Sequence, residues 1–117
     1  MGTEEKLQYI KSVDPEGGDR LLRLLERKSL LLDRNVYGER FTERQFNLVF
    51  DPLLTSAYEK AQILEVLAEK EGTVEGLAGR LAMDKASIFG HLKDMLRKNM
   101  VEIAGFEERH PVFRKKG

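Results

Sequence analysis

The chain has 117 residues, with 20 Lys plus Arg set against 20 Asp plus Glu. That length suits one domain with a real core, and the balanced charge gives no global signature of a polyanion binder. There is no cysteine, which excludes disulfides, thiolate nucleophiles, Fe–S ligation and cysteine-based sensing. No apolar run approaches a membrane span or a signal-peptide core, so a soluble cytoplasmic protein is expected.

In chain order, Thr3 is placed to cap a first helix carrying Leu7, Ile10 and Val13. Asp14-Pro15 stops it, because the residue before a proline is steered out of the helical region. Gly17-Gly18 reads as a turn and Asp19 as the cap of a second helix over residues 20–34. That helix holds Leu21, Leu22, Leu24, Leu25, Leu30, Leu31 and Leu32, an apolar arc wider than one neighbour buries. Either it is sandwiched inside one domain or a second subunit covers one face. The second reading assigns Leu21, Leu24, Leu25 and Leu31 to a homodimer interface. A linker over 33–40 contains Asn35 and Gly38. A short helix follows, announced by the capping-box spacing of Thr42 and Gln45 and the staple spacing of Phe41 and Phe46. Asp51-Pro52 ends it and closes an N-terminal helical extension of residues 1–52.

Residues 53–117 carry a different pattern. Ser56 and Glu59 form a capping box for a helix over 57–71, with a stripe of Ala61, Leu64, Leu67 and Ala68 widened by Ile63 and Val66. Gly72 supplies a left-handed end. Thr73 then caps a helix whose stripe is Val74, Leu77, Ala78 and Leu81, and Asp84 caps another with Ile88, Leu92, Met95 and Leu96. Only Ala82 and Met83 lie between them, so the two helices cross steeply, with Met83 plugging the corner. Residues 101–104 alternate as a strand, 105–111 form a loop, and 112–114 return as a second strand. The expected architecture is mainly α with a small β-hairpin: a winged helix-turn-helix with an N-terminal helical extension.

The segment DKASIFGHLKDMLRKNMVE, residues 84–102, resembles the recognition-helix region of bacterial winged-helix regulators. The likeness is to the arsenical-resistance-repressor type and, less closely, to the multiple-antibiotic-resistance-regulator type. It is carried by Ala86, Ser87, Ile88, His91, Leu92, Lys93, Leu96 and Val101-Glu102, and extends over about residues 55–116. It implies a DNA-binding transcriptional regulator, a homodimer that inserts the helix over 85–99 into the major groove of double-stranded DNA.

On that helix, Ala86, Gly90, Lys93 and Arg97 lie opposite the Ile88/Leu92 stripe, flanked by Ser87. The expected DNA-facing set is Lys85, Ala86, Ser87, Gly90, His91, Lys93 and Arg97, with Arg109 from the wing. Ser87 is the candidate for a base edge, and Lys93, Arg97 and Arg109 for phosphates. His91 makes either structural or phosphate hydrogen bonds. Two positions depart from the family pattern, which usually has polar or basic side chains where this chain has Phe89 and Gly90. Phe89, next to Leu96 on the helical wheel, extends the core in one reading and stands exposed in the other. The wing also carries Glu107 and Glu108. Residues 1–72 hold eleven basic and fourteen acidic side chains, a balance of −3, and residues 73–117 hold nine and six, a balance of +3. This polarity agrees with a DNA-facing C-terminal half.

Catalysis finds little support. His91 and His110 are the only histidines, neither has a nucleophile or acid at a telling spacing, and no glycine-rich phosphate loop occurs. No enzyme activity, cofactor or metal is expected, since Glu107, Glu108 and His110 on a wing make a poor cage. The alternative function is a winged-helix module for protein–protein contact, with Phe89 and Phe106 as anchors. Gly117 falls directly behind the second wing strand, so a dimer interface is expected from the N-terminal half.

Overall fold

The computed structural model describes residues 2–28, 32 and 42–117. Among these it is mainly helical, with one two-stranded antiparallel sheet. The elements are α1 (Thr3–Val13), α2 (Pro15–Glu26), α3 (Glu43–Glu69), α4 (Val74–Leu81), α5 (Lys85–Arg97), β1 (Val101–Glu107) and β2 (His110–Lys115). They divide into two compact units, 1–58 and 59–117, and α3 contributes residues to both.

In the first unit, a single residue separates α1 from α2. Gly2, not Thr3, is the N-cap of α1, so Thr3 is already helical. Asp14 both ends α1 and caps α2, accepting from the Gly17 N–H at 3.2 Å, with Pro15 in the first helical turn. The expected Gly17-Gly18 turn capped by Asp19 is therefore displaced: both glycines lie inside α2. Packing explains Gly18, because a Cβ there would come within 2.7 Å of the Lys11 Cα. The missing side chain lets two helices joined by one residue close on each other. Leu7, Ile10, Leu21, Phe46, Phe50 and Leu54 are buried, and the rings of Phe46 and Phe50 stack at 5.3 Å.

The expected stop at Asp51-Pro52 does not occur, and neither does the expected start at Ser56. α3 runs through both, with Pro52 in its interior. An interior proline costs a helix about 3 kcal/mol. Here Phe46, Phe50 and Leu54, spaced at i, i+4 and i+8, bury one face across the break, each contributing roughly 1.5–3 kcal/mol. Pro52 and Leu48 face outward, so water can hydrate the Leu48 carbonyl that Pro52 leaves without a helical donor. The capping box expected at the start holds: the Thr42 N–H donates to Gln45 Oε1 at 2.8 Å and the Gln45 N–H to Thr42 Oγ1 at 3.1 Å. Phe41 of the staple, the linker 33–40 and the end of the leucine-rich helix lie outside the described residues.

In the second unit, the buried side chains of Ala61, Ile63, Leu64 and Leu67 from α3, Leu77 and Ala78 from α4, and Ile88, Leu92 and Met95 from α5 form the core with Val101 and Phe113. Ala68, expected in the stripe, is exposed. Thr73 caps α4 as expected, accepting from the Gly76 N–H at 3.1 Å. Ala82 turns the chain in the left-handed region, φ 54°. Gly72 does not take the left-handed helix end expected of it. It pairs instead with β2, its N–H donating to the Phe113 carbonyl at 3.0 Å and its carbonyl accepting from the Phe113 N–H at 2.7 Å.

The hairpin is longer than alternation suggests. β1 and β2 pair through Glu107 and His110, so the expected 105–111 loop contracts to the two residues Glu108 and Arg109. Both have positive φ, 46° and 74°, as a type I′ hairpin turn requires. A bulge between Ile103 and Gly105 shifts the register and places Phe106 opposite Pro111. The order helix, helix, turn, helix, hairpin is compatible with the expected winged helix.

Candidate nucleic-acid interface

The candidate surface is built on α5. Asp84 accepts from the Ser87 N–H at 3.2 Å and from the Ser87 hydroxyl at 2.6 Å. These two bonds, the hydroxyl's first, hold the Asp84 carboxyl below the ordinary aspartate range. They fix the start of the helix. Ile88, Leu92 and Met95 are fully buried and clamp its inner face. Two further contacts tie its flank to α3: His91 Nε2 lies 2.9 Å from Glu59 Oε1, and Lys60 Nζ lies 3.2 Å from Asp94 Oδ2. Lys60 depresses the Asp94 carboxyl in turn.

The outward face then carries Lys85, Ala86, Phe89, Lys93 and Arg97, all exposed, with Gly90 among them. A Cβ on Gly90 would meet nothing within 4 Å, so that stretch of backbone is open to an approaching surface. The Lys93 ammonium sits 5.2 Å from the centroid of the Phe89 ring. Arg97 is 3.8 Å from Asp94, and Lys85 is 4.0 Å from Glu75. Pairs this long and this exposed hold their cations weakly, so both remain available to an anionic partner.

Three expectations for site residues change. His91 is withdrawn from the outer face: its side chain is 13 % exposed and engaged by Glu59, which selects the structural role over the phosphate one. Ser87 spends its hydroxyl hydrogen on Asp84 and keeps only acceptor capacity. Phe89 stands 48 % exposed, so it does not extend the core. Its position one helical turn before Lys93 was the signal that it belongs to the outer stripe. Arg109 lies exposed in the hairpin turn, in the left-handed region beside Glu108.

Phe89 also lines a groove of about 370 Å³ with Val74, Ala86 and Pro111, where Thr73, Glu75, Lys85 and His110 supply polar edges. On the hairpin, Phe106 is 70 % exposed and Ile103 also reaches solvent. Glu102 and Arg114 pair across the strands at 2.8 Å, and that bond lowers the Glu102 carboxyl and raises the Arg114 guanidinium.

The expected dimer residues are only in part accessible. Leu21 is buried within the protomer at 7 % exposure, because α2 packs closely on α1, and it is unavailable to a partner. Leu24 and Leu25 are half-buried, and Leu31 lies outside the described residues. Among the described residues of this unit, the exposed large apolar side chains are Leu48, Val49 and Leu53 on α3. No grouping of His, Asp and Glu that would hold a metal occurs among the described residues, and no helix there is long and apolar enough to cross a membrane.

Comparisons with protein-family models, with curated proteins and with solved structures give no match. The site itself is a capped helix, clamped on its inner face, with the Lys93 ammonium 5.2 Å from the centroid of the exposed Phe89 ring.

Proposed function

We propose that this chain is a DNA-binding transcriptional regulator of winged-helix architecture that acts as a homodimer and inserts α5 into the major groove. The observation that carries this reading is the division of α5 into two faces. Ile88, Leu92 and Met95 are buried, while Lys85, Ala86, Phe89, Lys93 and Arg97 are exposed. The nearby acids Asp84 and Asp94 are engaged by Ser87 and Lys60. A helix gripped on one side with weakly held cations on the other suits groove insertion with flanking phosphate contacts. Arg109 in the hairpin turn adds a further phosphate contact.

The test is duplex binding by Lys93→Ala and Arg97→Ala. Each is expected to weaken affinity by a similar factor for unrelated duplex sequences, because phosphate contacts carry no sequence information. Unchanged affinity in both variants would leave this reading without its mechanism.

A second reading, a winged-helix module for protein–protein contact, is favoured by Phe106, 70 % exposed beside the exposed Glu107 and Glu108. An exposed aromatic side chain followed in the chain by two exposed acids suits a basic protein surface better than a phosphate backbone. Phe106→Ala separates the two readings, since a DNA regulator keeps its duplex affinity in that variant.

A further inference from the structure

Within the DNA-binding reading, on which this inference rests, the base-reading end of α5 offers almost no hydrogen bonding. In helix-turn-helix docking the N-terminal residues of the inserted helix reach the base edges. Here those residues are Lys85 to Gly90. The Ser87 hydroxyl hydrogen is committed to Asp84 at 2.6 Å. Lys85 stands 4.0 Å from Glu75, a weak exposed pair that leaves its ammonium for a phosphate and not for a base edge. What remains outward is apolar: the Ala86 methyl, the Phe89 ring and the bare Gly90 backbone, beside which a Cβ would meet nothing.

The major groove holds one apolar feature that differs between bases, the C5-methyl group of thymine, and alanine and phenylalanine side chains are suited to touch it. We infer that α5 selects its site by packing Ala86 and Phe89 against thymine methyl groups. Lys93, 5.2 Å above the Phe89 ring, and Arg97 hold the flanking phosphates. Charge complementarity commits this apolar surface to duplex DNA, because the exposed charges beside it are Lys85, Lys93 and Arg97 of α5 against the single carboxylate of Glu75 on α4. Gly90 lets the helix backbone come close enough for so small a contact.

The experiment selects tight-binding duplexes from a random-sequence pool with the full-length protein, then resynthesises them with uracil in place of thymine. Uracil removes the C5-methyl and leaves base pairing unchanged. The expected result is an enriched thymine-containing site whose affinity falls about fourfold for each contacted methyl removed, the factor for burying one CH2-sized group. Phe89→Ala, a change at a half-exposed position, is expected to lose the part of the thymine preference that Phe89 carries and keep only the Ala86 contact, with Phe89→Leu keeping more of it. Equal binding of thymine and uracil duplexes by the wild type overturns the inference and leaves the DNA-binding reading intact. A preference that persists undiminished in Phe89→Ala also overturns it, because the methyl effect then acts through duplex shape. Retention of no duplex at about 50 mM salt, where phosphate contacts are strong, overturns both.

Discussion

The imidazole of His91 and the carboxylate of Glu59 meet at 2.9 Å, half-buried between α5 and α3. One residue further along α3 and three further along α5, Lys60 and Asp94 pair at 3.2 Å. Together these contacts fix how far α5 can rotate about its own axis, and so which side chains it turns outward. His91 therefore positions the outward face of α5 without belonging to it.

His91→Ala is expected to lower stability by about 1–2 kcal/mol, the cost of leaving a part-buried carboxylate without its partner. Affinity for duplex DNA at low temperature should change far less than in Lys93→Ala. Chemical denaturation and a binding titration on the same variant check this. A large loss of affinity at unchanged stability would return His91 to the phosphate-contacting set.

Two glycines on helices have opposite expected responses to alanine. Helix propensity alone favours alanine over glycine by about 1 kcal/mol. At Gly90 a Cβ meets nothing within 4 Å, so Gly90→Ala should raise stability by about that amount and, if the backbone there approaches bases, weaken DNA binding. At Gly18 a Cβ would lie 2.7 Å from the Lys11 Cα. Overpacking of backbone against side chain costs roughly 1–3 kcal/mol, so Gly18→Ala should destabilise. Equilibrium denaturation of the two variants decides the signs, and a stabilised Gly18→Ala would contradict the close α1–α2 packing.

Assembly follows the exposed apolar side chains. Leu48, at 68 % exposure, stands with Val49 and Leu53 one helical turn apart on α3 and forms a stripe of the kind helices bury against a partner. The double change Leu48→Glu with Val49→Glu is expected to give a folded monomer by sedimentation, with much weaker DNA binding. Leu24→Glu, at a half-buried position, should instead cost stability. A wild-type protein that sediments as a monomer at high micromolar concentration would remove the homodimer.

The parts legible in the sequence are those governed by local rules. Thr73, Asp84 and the Thr42/Gln45 box cap as their side-chain chemistry dictates, and the stripe Ile88, Leu92, Met95 is buried as its spacing requires. The misread parts were decided by tertiary packing. Pro52 looks like a stop, yet burial of Phe46, Phe50 and Leu54 carries the helix past it. Gly17-Gly18 looks like a turn, yet Asp14 caps three residues before Gly17, and Gly18 serves contact with Lys11. Glu108-Arg109 lacks the usual Asn-Gly signature of a tight hairpin, so the wing looked like a loop. In the candidate site, the cations were legible from the wheel. The inward turn of His91 was not, because its partner Glu59 lies 32 residues earlier in the chain.

The measurement closest to the central claim is a titration of the protein against duplex DNA across a range of salt. With Lys93, Arg97 and Arg109 each on a phosphate, a dimer neutralises about six, and log K should fall against log salt with a slope of about −5. The monomeric Leu48→Glu, Val49→Glu variant should show about half that slope. Absence of binding at about 50 mM salt, or binding whose strength does not change with salt, would contradict the account.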